Sequence, residues 1–294
     1  MRKGLPWLLA GLLLWGTVTS ARAEKISIKT WQEAMDSGVS KMGRKALRDH
    51  RSVWSHAADR HFFYHGRGQA VLGEVAEEAA FATKACGRWL SIKPSRKPAH
   101  IFIIHSRDRW LKLAAGSRLR LDGKAFHHDN EIYVFRDPEK KIHLEIFHEA
   151  VHLYLTRAYG RDIPLWLEEG LAVYYGWKNA DAFYASKELT LSRLLPRIDL
   201  SDAFSLNVLL TMKSYPRKTE ANRVYYRQTG ALMAALVEMM SEDEVSRLTR
   251  LIVRGDKKLV DVLKKHYAWD AARFKRLEKS MLEGINPDGQ TSIL

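Results

Sequence analysis

The sequence predicts an α+β fold, and three observations carry that reading. Short apolar runs bounded by turn residues fall in the first half of the chain. Helical periodicity dominates everything after Pro196. No Gly/Ser-rich linker separates the two halves, so they are expected to pack as one unit. The chain has 294 residues, 46% of them hydrophobic, which is enough to bury a sizeable core. A mean hydropathy of −0.32, with no polar low-complexity tract, argues against wholesale disorder.

The first 23 residues stand apart. Arg2 and Lys3 precede an apolar stretch from Leu5 to Val18, and Ala21-Arg22-Ala23 follows as a small-x-small cleavage site. This is the pattern of a secretory signal peptide, and the stretch is shorter than the roughly 20 residues that span a bilayer. Cleavage near Ala23 implies an exported protein, periplasmic or extracellular. Cys86 is the single cysteine, so no internal disulfide can form and stability must come from packing.

Residues 30–58 read as helical and polar. His61 to His65 is a short apolar run ending at Gly66 and reads as a strand. A helix is expected over 73–91, where Val75, Ala79, Ala82, Cys86 and Trp89 recur at helical spacing. Ile101–Ile104 reads as a buried strand. Ile132–Phe135 reads as another, entered through a solvated stretch at His127, His128, Asp129 and Asn130. Asp137-Pro138 opens a helix expected over about 140–158 and closed by Gly160. A further helix starts near Pro164 and is expected to stop at Gly176. The remainder reads as helices over about 201–213, 221–240, 242–253 and 268–283. Residues 24–160 thus form an N-terminal α/β part and 161–294 a helical part.

The chemistry concentrates at His148-Glu149-Ala150-Val151-His152. On a helix, positions i and i+4 share a face, so both imidazoles can reach one metal ion. Glu149 can serve as general base without ligating. Leu144, Phe147, Val151 and Leu155 surround the motif with apolar residues. Burying two histidines and a glutamate is costly without a metal or hydrogen-bonding partners. A catalytic zinc takes three protein ligands and keeps one position open, so one ligand is still missing. It should come from a following helix, where Glu168 and Glu169 both stand.

Trp166, Leu167, Glu169, Gly170 and Ala172 match the Trp-Leu-x-Glu-Gly-x-Ala segment that carries the third zinc ligand in the gluzincin group of metallopeptidases. With the paired-histidine motif, the chain resembles that group, most strongly from about 132 to 175 and more loosely over 60–240. The resemblance implies a zincin-like fold. It also implies one Zn²⁺ on His148, His152 and Glu169, Glu149 as general base, and hydrolysis of peptide bonds in a peptide or protein substrate. It further implies that Tyr226, in the position of a later-helix donor, hydrogen-bonds to the oxyanion. Two departures stand out. The Gly-Ala-Met-Glu-Asn segment of the group's aminopeptidases is absent, which favours an endopeptidase. Val173 stands where an Asp supporting a zinc histidine is expected, so that support must come from elsewhere.

The formal charge is +14, and loss of Arg2, Lys3 and Arg22 with the leader leaves +11. Export argues against nucleic acid as the partner of this basic chain; anionic cell-envelope material fits better. Lys257, Lys258, Lys264, Lys265 and the run from Arg273 to Lys279 make the C-terminal helices basic. A rival reading is therefore an inactive zincin-fold binding protein that docks through this face. A substrate peptide is expected to add as a strand along an exposed edge at Ile132–Phe135.

Overall fold

The structure is a computed structural model that describes residues 26–49, 54–90, 97–115, 124–137, 139–160, 162–189, 200–255 and 258–285. The expected signal peptide lies outside these residues. No helix among the described residues is long and apolar enough to cross a membrane.

Among the described residues, six strands form one mixed sheet: β1 (Ser27–Lys29), β2 (Ser55–Ala58), β3 (Phe62–Gly66), β4 (Ala99–Ile104), β5 (Ala125–His128) and β6 (Glu131–Phe135). Their order is β1-β2-β3-β4-β6-β5. The central pairs β3/β4 and β4/β6 are parallel and the outer pairs antiparallel. All six residues of β4 are buried, as expected of a central parallel strand covered on both faces.

Alternation along the strands separates two cores. On one face Tyr64, Ile101, Ile103, Ile132 and Val134 pack against α3 (Gln69–Leu90) and α5 (Glu145–Tyr159). On the other, Phe102, Ile104, Phe126 and Tyr133 pack against α1 (Trp31–Asp36), α2 (Lys41–Asp49) and α4 (Arg107–Ala115). A third and larger core joins the end of α3 to α5, α6 (Leu165–Ala185), α8 (Thr219–Met239), α9 (Glu242–Gly255), α10 (Leu259–Tyr267) and α11 (Ala271–Ile285). Cys86 lies in this core, where burial pushes its thiol up to about 12.

Several expectations are corrected. Residues 30–58 are not one helical stretch: α1 and α2 are short, and 55–58 is strand β2. His127 and His128 belong to strand β5, and the turn is Asp129-Asn130, with Asp129 at φ 55°. Strand β6 is paired on both sides, so it offers no free edge; β5 ends the sheet. The C-terminal region holds α7 (Leu206–Thr211), which is shorter than expected, and α10, which was not expected.

The metal-motif helix starts at Glu145 and not near 140. The irregular approach is held instead by a network centred on the buried Arg136 and Glu78. Arg136 donates to Glu78 (3.0 and 3.2 Å) and to Glu74 (3.0 Å). The Tyr184 hydroxyl donates to Glu78 Oε1 (3.0 Å) and accepts from the His143 backbone N–H (2.8 Å). At its other end α5 stops at Gly160, whose φ of 81° ends the helix with an N–H bond to Thr156 (2.8 Å).

Helix α6 does not stop at Gly176 but runs to Ala185. The glycine serves close approach instead. A Cβ there would lie 3.0 Å from His148 Cα and 3.1 Å from its backbone nitrogen. Gly170 does the same toward α8, where a Cβ would meet the Thr229 carbonyl oxygen at 2.7 Å. Helix α6 is therefore wedged between α5 and α8 with the metal-motif backbone almost in contact.

Candidate metal centre

That wedge brings two helices' polar residues to one point. His148 and His152 project from α5, and Glu169 from the first turns of α6. The two Nε2 atoms are 3.1 Å apart, and each lies 3.5 Å from Glu169 Oε2. Donors held about 2.0–2.1 Å from one tetrahedral ion are roughly 3.3 Å from each other. Among the described residues, this group could hold a metal ion. The donor chemistry fits as well. Glu169 is 2% exposed, and its Oε2 is buried with no hydrogen-bond partner although it faces both imidazoles. An oxygen that meets both rings only at 3.5 Å, without a close hydrogen bond, leaves room for a cation between the three groups.

The surroundings orient each donor. His152 Nδ1 lies 3.1 Å from Glu168 Oε1, which fixes the ring with Nε2 turned toward the site. The carboxylate that meets the outer nitrogen of His152 is thus Glu168, beside Glu169, and not a residue at position 173. Adjacent positions on a helix point about 100° apart, so Glu168 reaches the outer nitrogen while Glu169 reaches the inner one. Glu169 Oε1 accepts from the Tyr215 hydroxyl. His127, on β5, stacks parallel to His152 at 6.0 Å between ring centres, with its Nε2 3.3 Å from Thr156 Oγ1.

Charges are strongly coupled here. Burial would raise the Glu169 carboxyl, but His152 and His148 overcome it and hold it well below the usual range. Burial would lower His152, but Glu169 and Glu168 raise it. Glu149 is 7% exposed; burial raises its carboxyl, against the pull of both histidines. Tyr226 stands near the site, 6.3 Å from His148 between ring centres, and is raised by burial and by the carboxylates Glu169 and Glu149. Its neighbour Tyr225 is fully buried, with its hydroxyl unpartnered.

Other histidines gather elsewhere. His56, His65 and His100 form a row across β2, β3 and β4. His56 Nδ1 lies 3.0 Å from His65 Nδ1, and His65 Nε2 lies 3.0 Å from His100 Nδ1. His100 is also hydrogen-bonded to the backbone of Ser37. If that bond is donated to the carbonyl, neutral rings fix one polarity: His65 donates to His100, and His56 donates to His65. The last acceptor, His56 Nε2, is buried without a partner. These histidines are a hydrogen-bonded chain, not a chelate.

Sequence reasoning missed Glu168 as a support and Tyr215 altogether. For Glu168 the signal was present, because a carboxylate adjacent to a ligand on a helix faces the flank of the same site. Tyr215 sits between α7 and α8 with no periodicity to mark it. Comparison with protein-family models and with curated proteins returns no match.

Proposed function

We propose that the chain is a zinc-dependent metallopeptidase of gluzincin type with a zincin-like fold, exported and acting as an endopeptidase. The observation that carries this reading is the convergence of His148 Nε2, His152 Nε2 and Glu169 Oε2 at 3.1–3.5 Å, with Glu149 buried beside them. When bound, zinc supplies a Lewis acid that acidifies water and polarises a carbonyl. Glu149 takes a proton as the water oxygen adds to the carbonyl carbon. It returns that proton to the amine nitrogen as the C–N bond breaks. Burial suits it to this, since a carboxyl raised from its ordinary range takes up a proton more readily. Tyr226 donates to the oxygen on which negative charge develops.

A peptide substrate would lie along the β5 edge, the outermost strand of the described sheet on the side of α5. His127, stacked on His152, connects that edge to the donors. Exposed Lys264, Lys265, Arg273, Lys275 and Arg276 on α10 and α11 suit contact with anionic envelope material.

The test is hydrolysis of a mixed peptide library by purified protein with its zinc content measured. Wild type should carry about one zinc per chain and cleave internal bonds. Glu149→Gln should keep the zinc and lose about 10²–10⁴-fold in rate. Full activity in Glu149→Gln sinks the general-base assignment, and protein without zinc affinity sinks the reading as a whole.

A further inference from the structure

Glu169 uses its two oxygens differently. Oε2 faces both histidine Nε2 atoms at 3.5 Å and has no hydrogen bond, whereas Oε1 accepts from the Tyr215 hydroxyl. Tyr215 reaches this carboxylate from the connection between α7 and α8, 46 residues further along the chain. The residue is 42% exposed as a whole, yet its polar end touches a carboxylate that is 2% exposed. Two aromatic contacts hold it there. Its ring stacks on Tyr226 at 5.9 Å and 24°, and meets Tyr225 edge-on at 6.2 Å and 88°. Tyr226 in turn lies against His148.

We infer that Tyr215 is a positioning residue for the metal centre: by engaging Oε1 it leaves Glu169 a single oxygen, Oε2, to present to the ion. A free carboxylate can turn both oxygens to a metal. That would add a ligand at the position which must stay open for water or substrate. A donor fixed on Oε1 prevents the rotation and also orients the ligand, as outer partners of metal ligands do. The stacking makes the same side chain a brace for Tyr226, so donor and ligand are set by one residue. This inference rests on the metallopeptidase reading above.

The experiment uses the full mature chain with two probes, Zn²⁺ in competition with a chromophoric chelator and Co²⁺ by visible absorption. Tyr215→Phe keeps the ring and its stacking and removes the hydroxyl alone; thermal unfolding checks that the fold is retained. It should bind Zn²⁺ about 10–100-fold more weakly. Its Co²⁺ bands should weaken, as they do when a four-coordinate ion gains a fifth ligand. Tyr226→Phe, which removes the hydroxyl bonded to Tyr215 but keeps the Tyr215 contact to Glu169, should retain most of the zinc affinity and the wild-type Co²⁺ bands while lowering kcat. Tyr215→Phe with wild-type affinity and wild-type Co²⁺ bands overturns the inference and leaves the metallopeptidase reading standing. Wild type that binds neither ion overturns both.

Discussion

Two histidine clusters lie on opposite faces of the same sheet, and both combine imidazoles with a buried carboxylate. On the α5 face, His148, His152 and Glu169 aim three donor atoms at one point, with Glu169 Oε2 3.5 Å from both rings and free of a hydrogen bond. On the α2 face, His56, His65 and His100 run in line, each nitrogen between them used once, and end near Glu131. That carboxylate is filled by Ser40 N (2.5 Å), Ser40 Oγ (2.6 Å) and the Tyr133 hydroxyl. Residue types are alike, and burial differs only at His148, a quarter of whose side chain is exposed; the larger difference is whether donors converge. Each set has one buried acceptor without a hydrogen bond, His56 Nε2 in the row and Glu169 Oε2 in the other, but only Glu169 Oε2 faces two further donor atoms close enough for one metal ion to join all three.

The sharpest way to break this contrast is to exchange its predictions. Glu169→Ala should abolish tight zinc binding, and His65→Phe should leave stoichiometry at one while lowering stability. Zinc loss from His65→Phe, or retention in Glu169→Ala, would erase the distinction; equilibrium dialysis with metal analysis decides it. A finer test concerns the support. Glu168→Gln should weaken zinc about 10–100-fold without removing it, because the outer partner of His152 is altered and the ligand is not. An affinity equal to wild type would show that the 3.1 Å contact does nothing for the metal.

The smallest expected effect is on stability against pH. Burial lowers His56, His65 and His100 from the ordinary value, and Glu131 opposes this at His100. The unfolded chain therefore binds protons that the folded chain refuses. The stabilisation is fully present above about pH 6.5 and declines as pH falls below that value toward the folded-state pKa values. Zinc-loaded wild type should lose Tm through this range. His65→Phe should start lower at pH 8 and fall less steeply. Parallel curves would mean that the row does not titrate with unfolding.

The contrast also explains what the sequence made legible. The i, i+4 histidines lie within a strongly apolar helix, so periodicity alone put their donors on one face. The central strands β3, β4 and β6 were visible as apolar runs. Strands β2 (Ser-His-Ala-Ala) and β5 (Ala-Phe-His-His) were not, because small and polar residues there obscure the alternation that marks a half-buried strand. Missing β5 made β6 look like an edge. Gly176 was read as a stop because a glycine ends many helices. Only the neighbouring backbone reveals that it is a point of contact with His148. Position 215 lacked any local signal, since its partner is 46 residues away in sequence.

Cys86 gives the molecule a property of practical use. It is the chain's one thiol, 1% exposed, and lies in the core shared by α3, α5, α6 and α8. With burial pushing its pKa up to about 12 and 1% of the residue exposed, it is inert toward alkylating reagents while the core is closed. Reaction must wait for an opening that parts α3 from α5 and α6. The labelling rate is then a clock for that opening, needing no introduced probe. Slowing of the clock by added zinc would measure how far the ion ties these helices together, independently of any catalytic assay.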